Sequence, residues 1–118
     1  MLILFPADQA EPVESGAKRQ TVRKRARVPK VGEPLHLHCG RTRKLVKPPP
    51  PCKAVEPVDI DLGPDGEVRG VILAGERLTA AQEASLAKDG GFASVKEMGK
   101  FYAGLHGAGV FEGVLIRW

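Results

Sequence analysis

The sequence predicts an α+β fold, a small and mostly antiparallel β-barrel with helical insertions, and three observations carry that expectation. Apolar and polar residues alternate along 35–39 and 55–62, a period of two that half-buries a strand. Two helix-start patterns, Thr79-Ala80-Ala81-Gln82 and Ser94-Val95-Lys96-Glu97, lie close together late in the chain. Strand and helix patterns do not alternate as repeats, which disfavours a doubly wound parallel sheet. At 118 residues the chain suits one domain over 1–118. A fold of this size buries roughly two-thirds of the surface its unfolded chain exposes, so it needs no disulfide or metal staple.

Leu2, Ile3, Leu4 and Phe5 form an apolar run closed by Pro6, the pattern of a buried opening strand. Residues 7–15 have room for a helical turn or two, limited by Pro12 and ended by Gly16. Gln20-Thr21-Val22-Arg23 has the branched residues of a short strand. The rest of 16–30 reads as an exposed loop dense in charge, with Lys18, Arg19, Lys24, Arg25, Arg27 and Lys30. After the turn Val31-Gly32-Glu33-Pro34, a strand places Leu35, Leu37 and Cys39 on one face and His36 and His38 on the other. Arg41 to Lys47 stays basic, and the prolines at 48–51 remove ladder donors, so 47–52 is expected to be an exposed loop. Val58, Ile60 and Leu62 share the next strand's inner face, and Gly63-Pro64-Asp65-Gly66 turns it into a hairpin with 67–73. One helix runs from Thr79 to about Lys88. A second starts at Ser94, ends at Gly107 and is expected to bury Met98, Phe101, Tyr102 and Leu105 on one face. Residues 110–118 close the chain as a strand with Phe111, Val114, Leu115 and Ile116 suited to the core.

Charge is unevenly distributed along the chain. Residues 1–53 carry 12 basic and 4 acidic side chains and residues 54–118 carry 6 and 10, so the halves stand at +8 and −4. The asymmetry points to an anionic partner for the first half, with RNA, DNA or a nucleotide the leading class. A metal site is not expected, because His36 and His38 face away from Cys39 and no Cys-x-x-Cys or His-x-x-x-His pair exists. No cofactor is expected either: the glycines at 63, 66 and 70 flank a hairpin and do not form a phosphate loop, and there is no Gly-x-Ser-x-Gly turn for a nucleophile. Two cysteines, Cys39 and Cys52, are too few for a disulfide scaffold and suit a reducing, cytoplasmic setting. No apolar run approaches the roughly 20 residues that span a bilayer, and the opening segment lacks the basic start of a signal peptide. The expectation is a cytoplasmic protein with no membrane partner.

The segment Ser15-Gly16-Ala17-Lys18-Arg19-Gln20-Thr21-Val22-Arg23 carries the strongest signal. It resembles the signature of the ASCH family, small proteins whose β-barrel is similar to the PUA RNA-binding domain. That signature looks like Ser-Gly-x-Lys-x-x-Thr-hydrophobic-Arg, and Ser15, Gly16, Lys18, Thr21, Val22 and Arg23 match it. Val31-Gly32-Glu33-Pro34-Leu35 is similar to the family's Gly-Asp-x-Leu approach to a barrel strand, with Glu33 in place of Asp. The stretch from Leu78-Thr79 to Phe92 resembles the family's late helix and the Gly-Phe after it, and 111–118 resembles the final strand of short, phage-type members. Nearly the whole chain is covered. Some ASCH proteins are amidohydrolases that remove an acyl group from the exocyclic amine of cytidine, and the resemblance implies a Lys, Thr and Glu trio for that reaction. Lys18 and Thr21 occupy the first two positions. The third is represented by Asp89, one methylene shorter and separated from Phe92 by Gly90 and Gly91 where the family has one residue.

The residues themselves agree with an anion-binding role. Arg19, Arg23 and Lys24 surround Lys18 with positive charge, which lowers an amine's pKa, and Thr21 is placed to share the same pocket wall. The reading that follows is a binding module for RNA, DNA or a nucleotide, built on a basic cleft of Lys18, Thr21, Arg19, Arg23 and Lys24. Arg41, Arg43 and Lys44 would supply phosphate contacts beside it. Trp118 and Phe111 are candidates for base stacking, although with six aromatic residues in the chain the core is their expected place. The alternative is an amidohydrolase of N4-acylated cytidine with Lys18, Thr21 and Asp89 catalytic. A second alternative is a phage-encoded protein that binds a host protein.

Overall fold

The computed structural model describes residues 1–24 and 27–118. Arg25, expected on the exposed loop, lies outside the described residues. Strand β1 (Leu2–Leu4) leads into helix α1 (Ala7–Ser15). The helix stops where Gly16 takes φ +82° and its N–H bonds Val13 O at 3.2 Å. That left-handed conformation suits a residue without Cβ. The helix runs its nine residues straight through Pro12, longer than expected, because buried Ala10 and Val13 hold it against the core on either side of the proline.

Strand β2 (Gln20–Arg23) and the hairpin β3 (His36–Cys39) with β4 (Arg43–Lys44) follow. Next come β5 (Ala54–Leu62), β6 (Val68–Leu73) and β7 (Glu76–Arg77). The two-residue strands β4 and β7 are too short to leave a period in the sequence. Helix α2 (Ala80–Asp89) opens with the complete capping box: Gln82 N–H donates to Thr79 Oγ1 at 3.2 Å and Thr79 N–H donates to Gln82 Oε1 at 2.8 Å. Helix α3 (Val95–His106) is capped by Ser94, which accepts from the Glu97 N–H at 3.2 Å, and β8 (Gly109–Arg117) ends the chain.

The strands pair into two sheets, one of order β1-β3-β4 and one of order β2-β8-β5-β6-β7. All pairs are antiparallel except β1 with β3, where Leu2, Ile3 and Leu4 stand opposite His36, Leu37 and His38. The expected closed barrel is therefore corrected: the α+β class holds, but among the described residues the strands do not close into one ring. The prolines at 48–51 supply part of the reason, since a segment without N–H donors cannot carry the ladder from β4 on to β5. The segment instead makes an isolated bridge of Pro51 with Pro34, and the Arg23 Nη2 bond to Leu4 O at 2.8 Å ties β2 to β1 across the two sheets.

The five-stranded sheet separates two apolar clusters. Leu115 and Ile116 are consecutive on β8 and fully buried, and strand alternation sends them to different clusters. Ile116 joins Ile3, Phe5, Val13, Leu35, Leu37 and Trp118 on the side of α1 and the small sheet. Leu115 joins Val58, Ile60, Leu62, Val71, Met98 and Phe111 under α2 and α3. Leu35 and Leu37 are buried while His36 is exposed and His38 half-buried, the face assignment that alternation requires. Cys39 and Cys52 are both free thiols. Among the described residues, no helix is long and apolar enough to cross a membrane, and no group of three or more His, Cys, Asp and Glu side chains comes together as a metal site.

Helix α3 crosses the β5–β6 turn so closely that a Cβ at Gly99 would lie 2.2 Å from Gly66 O and 2.9 Å from Val68 Cγ2. Gly99→Ala is expected to destabilise the fold by about 1–3 kcal/mol, against the usual helix preference for alanine. Gly104, on the same helix, faces open space, and Gly104→Ala is expected to add up to about 1 kcal/mol. Urea unfolding of the two variants checks the opposite signs.

Candidate functional site

Lys18 organises the site. Its backbone N–H bonds Pro12 O at 2.9 Å, folding the chain back over the end of α1 and turning the side chain inward. Only 4% of the residue is exposed. Its ammonium donates to Gln9 Oε1 on α1 and, at 2.8 Å, to Gly90 O just after α2. It also lies 5.5 Å from the centre of the Phe5 ring.

Arg23 sits over the same ring, 4.9 Å from its centre, and its Nε donates to Thr21 Oγ1 at 3.0 Å. Thr21 is itself buried, on β2 opposite Ile116. Burial, and then the nearby Arg23 guanidinium, bring the Lys18 pKa down from 10.5 to about 8, with Asp8 acting the other way. Burial likewise pushes the Tyr102 phenol up to about 12, partly offset by Arg23.

Lys18, Thr21, Arg23 and Lys24 line one side of a cavity of about 400 Å³. Phe92, Phe101, Tyr102, Leu105, His106 and Phe111 line the rest with Pro6, Gln9 and Val22. The rings touch one another: Phe92 lies 5.4 Å from Phe101 and 5.8 Å from Tyr102, and Tyr102 lies 4.9 Å from Phe111. Lys18, Pro6, Gln9, Phe92 and Phe101 also border a neighbouring groove of about 480 Å³, which adds Asp8, Glu97 and Lys100. The result is a half-open aromatic slot with cations along one wall and an amine, buried at its base, that exchanges its proton near neutral pH.

The structure brings some of the expected site residues together and separates others. Lys18, Thr21, Arg23 and Lys24 share the aromatic cavity. Asp89 does not line it; that side chain is exposed and borders a different cavity, with Gln20 and Leu86. Only the carbonyl of the next residue, Gly90, reaches Lys18. The acids that do border a groove with Lys18 are Asp8 and Glu97. Arg19 is exposed and turned toward a shallow hollow with Val46 and Trp118. Arg41, Arg43 and Lys44 are exposed on and beside the small sheet, and Arg43 pairs with Glu14 of α1. None of these four lines the aromatic cavity.

Of the aromatic wall the sequence reading named Phe111 alone as a stacking candidate and missed Phe92, Phe101 and Tyr102. Met98 and Tyr102 of α3 are buried as expected, but Phe101 and Leu105 are 44% and 68% exposed and form the cavity's lip. The apolar stripe of α3 is wider than the sheet beneath it can cover, and that excess width was the available signal. Trp118 is buried against Phe5, with ring centres 5.9 Å apart, so it takes no part. Comparison of the chain with protein-family models, with curated proteins and with solved structures finds no match.

The depressed Lys18 pKa makes stability depend on pH. The folded state releases this proton more readily than the unfolded chain, so the cost of burying the charge is fully present below about pH 8 and is relieved up to about pH 10.5. Stability is expected to rise across that window. In Lys18→Met this contribution is expected to vanish, as read from urea unfolding at both ends of the window.

Proposed function

We propose that this protein binds a nucleotide, or a single unstacked base of RNA or DNA, in the aromatic cavity. The observation that supports it best is the juxtaposition in one cavity of a stacking surface, Phe92 with Phe101, and the cations Lys18, Arg23 and Lys24. A flat base gains by stacking on such rings, and the phosphate it carries is held by Arg and Lys at the rim. The lowered Lys18 pKa and its buried amine suit hydrogen bonding to a base edge more than holding a solvated phosphate. Lys18, Arg23 and Lys24 would draw the anion toward this cavity. The same reading takes the two sheets as an ASCH-type, PUA-like arrangement, on the support of the matched residues Ser15, Gly16, Lys18, Thr21, Val22 and Arg23.

A second reading, the amidohydrolase of N4-acylated cytidine, has one observation in its favour. An amine held near pKa 8 beside a buried threonine is partly free at neutral pH and able to move a proton. Asp89, bordering another cavity, is not positioned as its third member.

Titration calorimetry with nucleoside monophosphates and a short single-stranded RNA separates these readings. Phe101→Ala is expected to weaken binding by about 1–3 kcal/mol, roughly 5- to 150-fold. Lys24→Ala is expected to act through phosphate alone, reducing the log–log salt slope for RNA by about 0.7. Affinity that is flat across salt and unchanged by Phe101→Ala would overturn the nucleotide reading in favour of a protein partner.

Incubation with N4-acetylcytidine, followed by chromatography, tests the hydrolase. Lys18→Arg keeps a charge but no free amine, so an enzyme is expected to retain nucleoside affinity and lose turnover. Absence of free cytidine with the unaltered protein removes the second reading.

A further inference from the structure

Beside the start of β2 and under α2 lies a cavity of about 330 Å³ that shares no lining residue with the aromatic slot. Gln20, next to Thr21 on the strand, lines it and is 7% exposed. Its Oε1 accepts from Arg117 Nε at 3.4 Å, but among the described residues its Nε2 has no acceptor. A buried amide N–H left without a partner costs about 1–3 kcal/mol, so a polar protein group in this position points to an acceptor arriving from outside.

The rest of the lining narrows what that acceptor belongs to. Leu73, Leu78 and Leu86 supply an apolar wall. Arg117 Nη1 is paired with Glu56 Oε1 at 2.7 Å, so its charge is already balanced. Asp89 also lines the cavity, and among the described residues its carboxylate has no hydrogen bond or ion pair. Among the described residues Asp89 is thus the unpaired charge in the lining, and a ligand carboxylate beside it would be repelled. A neutral C=O satisfies Gln20 Nε2 without that penalty, and an N–H beside it satisfies Asp89.

We propose that this cavity is a second binding site, for a small neutral molecule whose apolar body carries a lactam or carboxamide edge. Gln20 reads the carbonyl, Asp89 receives the N–H, and Leu73, Leu78 and Leu86 hold the body. The volume falls in the usual range for small-molecule sites, roughly 300–1,000 Å³. Asp89 thus has a role in this site that is separate from Lys18.

The test is a nitrogen-resolved NMR titration of the full chain with 2-piperidone, a lactam on an apolar ring. Cyclohexanone, which lacks the N–H, and cyclohexanecarboxylate, which is anionic, serve as the comparison ligands. Saturable shifts are expected at the Gln20 side-chain amide, at Asp89 and at Ser85, which also lines the cavity, with no change at Lys18 or Phe101. The carboxylate is expected to bind at least about tenfold more weakly, a difference of about 1.4 kcal/mol. Gln20→Leu is expected to abolish lactam binding while stability stays level or rises, because the unmet donor is gone. Asp89→Asn, a change at an exposed position, is expected to weaken the lactam and erase its advantage over the carboxylate. The proposal is overturned if 2-piperidone produces no saturable shift at Gln20. It is equally overturned if the carboxylate binds as well as the lactam, or if Asp89→Asn binds both as the unaltered protein does.

Discussion

The buried ammonium of Lys18 is the contact on which the arrangement of this protein depends. Its two hydrogen bonds join α1, through Gln9, to the loop that connects α2 and α3, through the Gly90 carbonyl 72 residues away in sequence. These elements otherwise sit on opposite faces of the five-stranded sheet, each with its own apolar cluster. A hydrophobic residue in this position would fill the space without orienting the loop, whereas the amine demands acceptors in defined directions. Satisfying that demand sets Phe92 beside Lys18 and so forms one wall of the cavity.

The cost of that choice is electrostatic. Lys18 and Arg23 are both held over the ring of Phe5, and their mutual repulsion adds to the loss of hydration. The face of an aromatic ring offsets part of this by presenting its negative quadrupole to both cations. The site is thus a place where the fold accepts a destabilising pair of charges. The exposed ring of Phe101 lies in the same cavity, an apolar surface left open beside the cations Lys18, Arg23 and Lys24.

The two cavities draw on neighbouring positions of a single strand, β2. Gln20 lines the cavity with Asp89, whereas Thr21, Val22 and Arg23, further along the strand, line the aromatic slot. A short run of sequence therefore serves two chemically different pockets, one cationic and aromatic, the other apolar with amide and carboxylate groups. Asp89 and Gly90 are divided in the same way: the side chain of one borders one cavity while the carbonyl of the other binds Lys18.

By itself the sequence determined the α+β class, the strands at 35–39 and 55–62 with their inner faces, the hairpin at Gly63-Pro64-Asp65-Gly66, both helix starts and the grouping of Lys18, Thr21, Arg23 and Lys24. These are local matters, decided by side-chain period, caps and turn residues within a few positions of one another. Whether the strands close into a ring, which cavity Asp89 borders, and whether Phe101 is core or lip depend on contacts between segments far apart in the chain. Asp89 is the clearest case: its distance from Phe92 along the sequence was visible, but the cavity it borders is set by how α2 packs on the sheet. Phe101 is the complementary one, because helical spacing places it on the apolar stripe of α3 while the width of the sheet beneath decides how much of that stripe is covered. Local spacing states which face a residue is on; only tertiary packing supplies, or withholds, the surface that covers it.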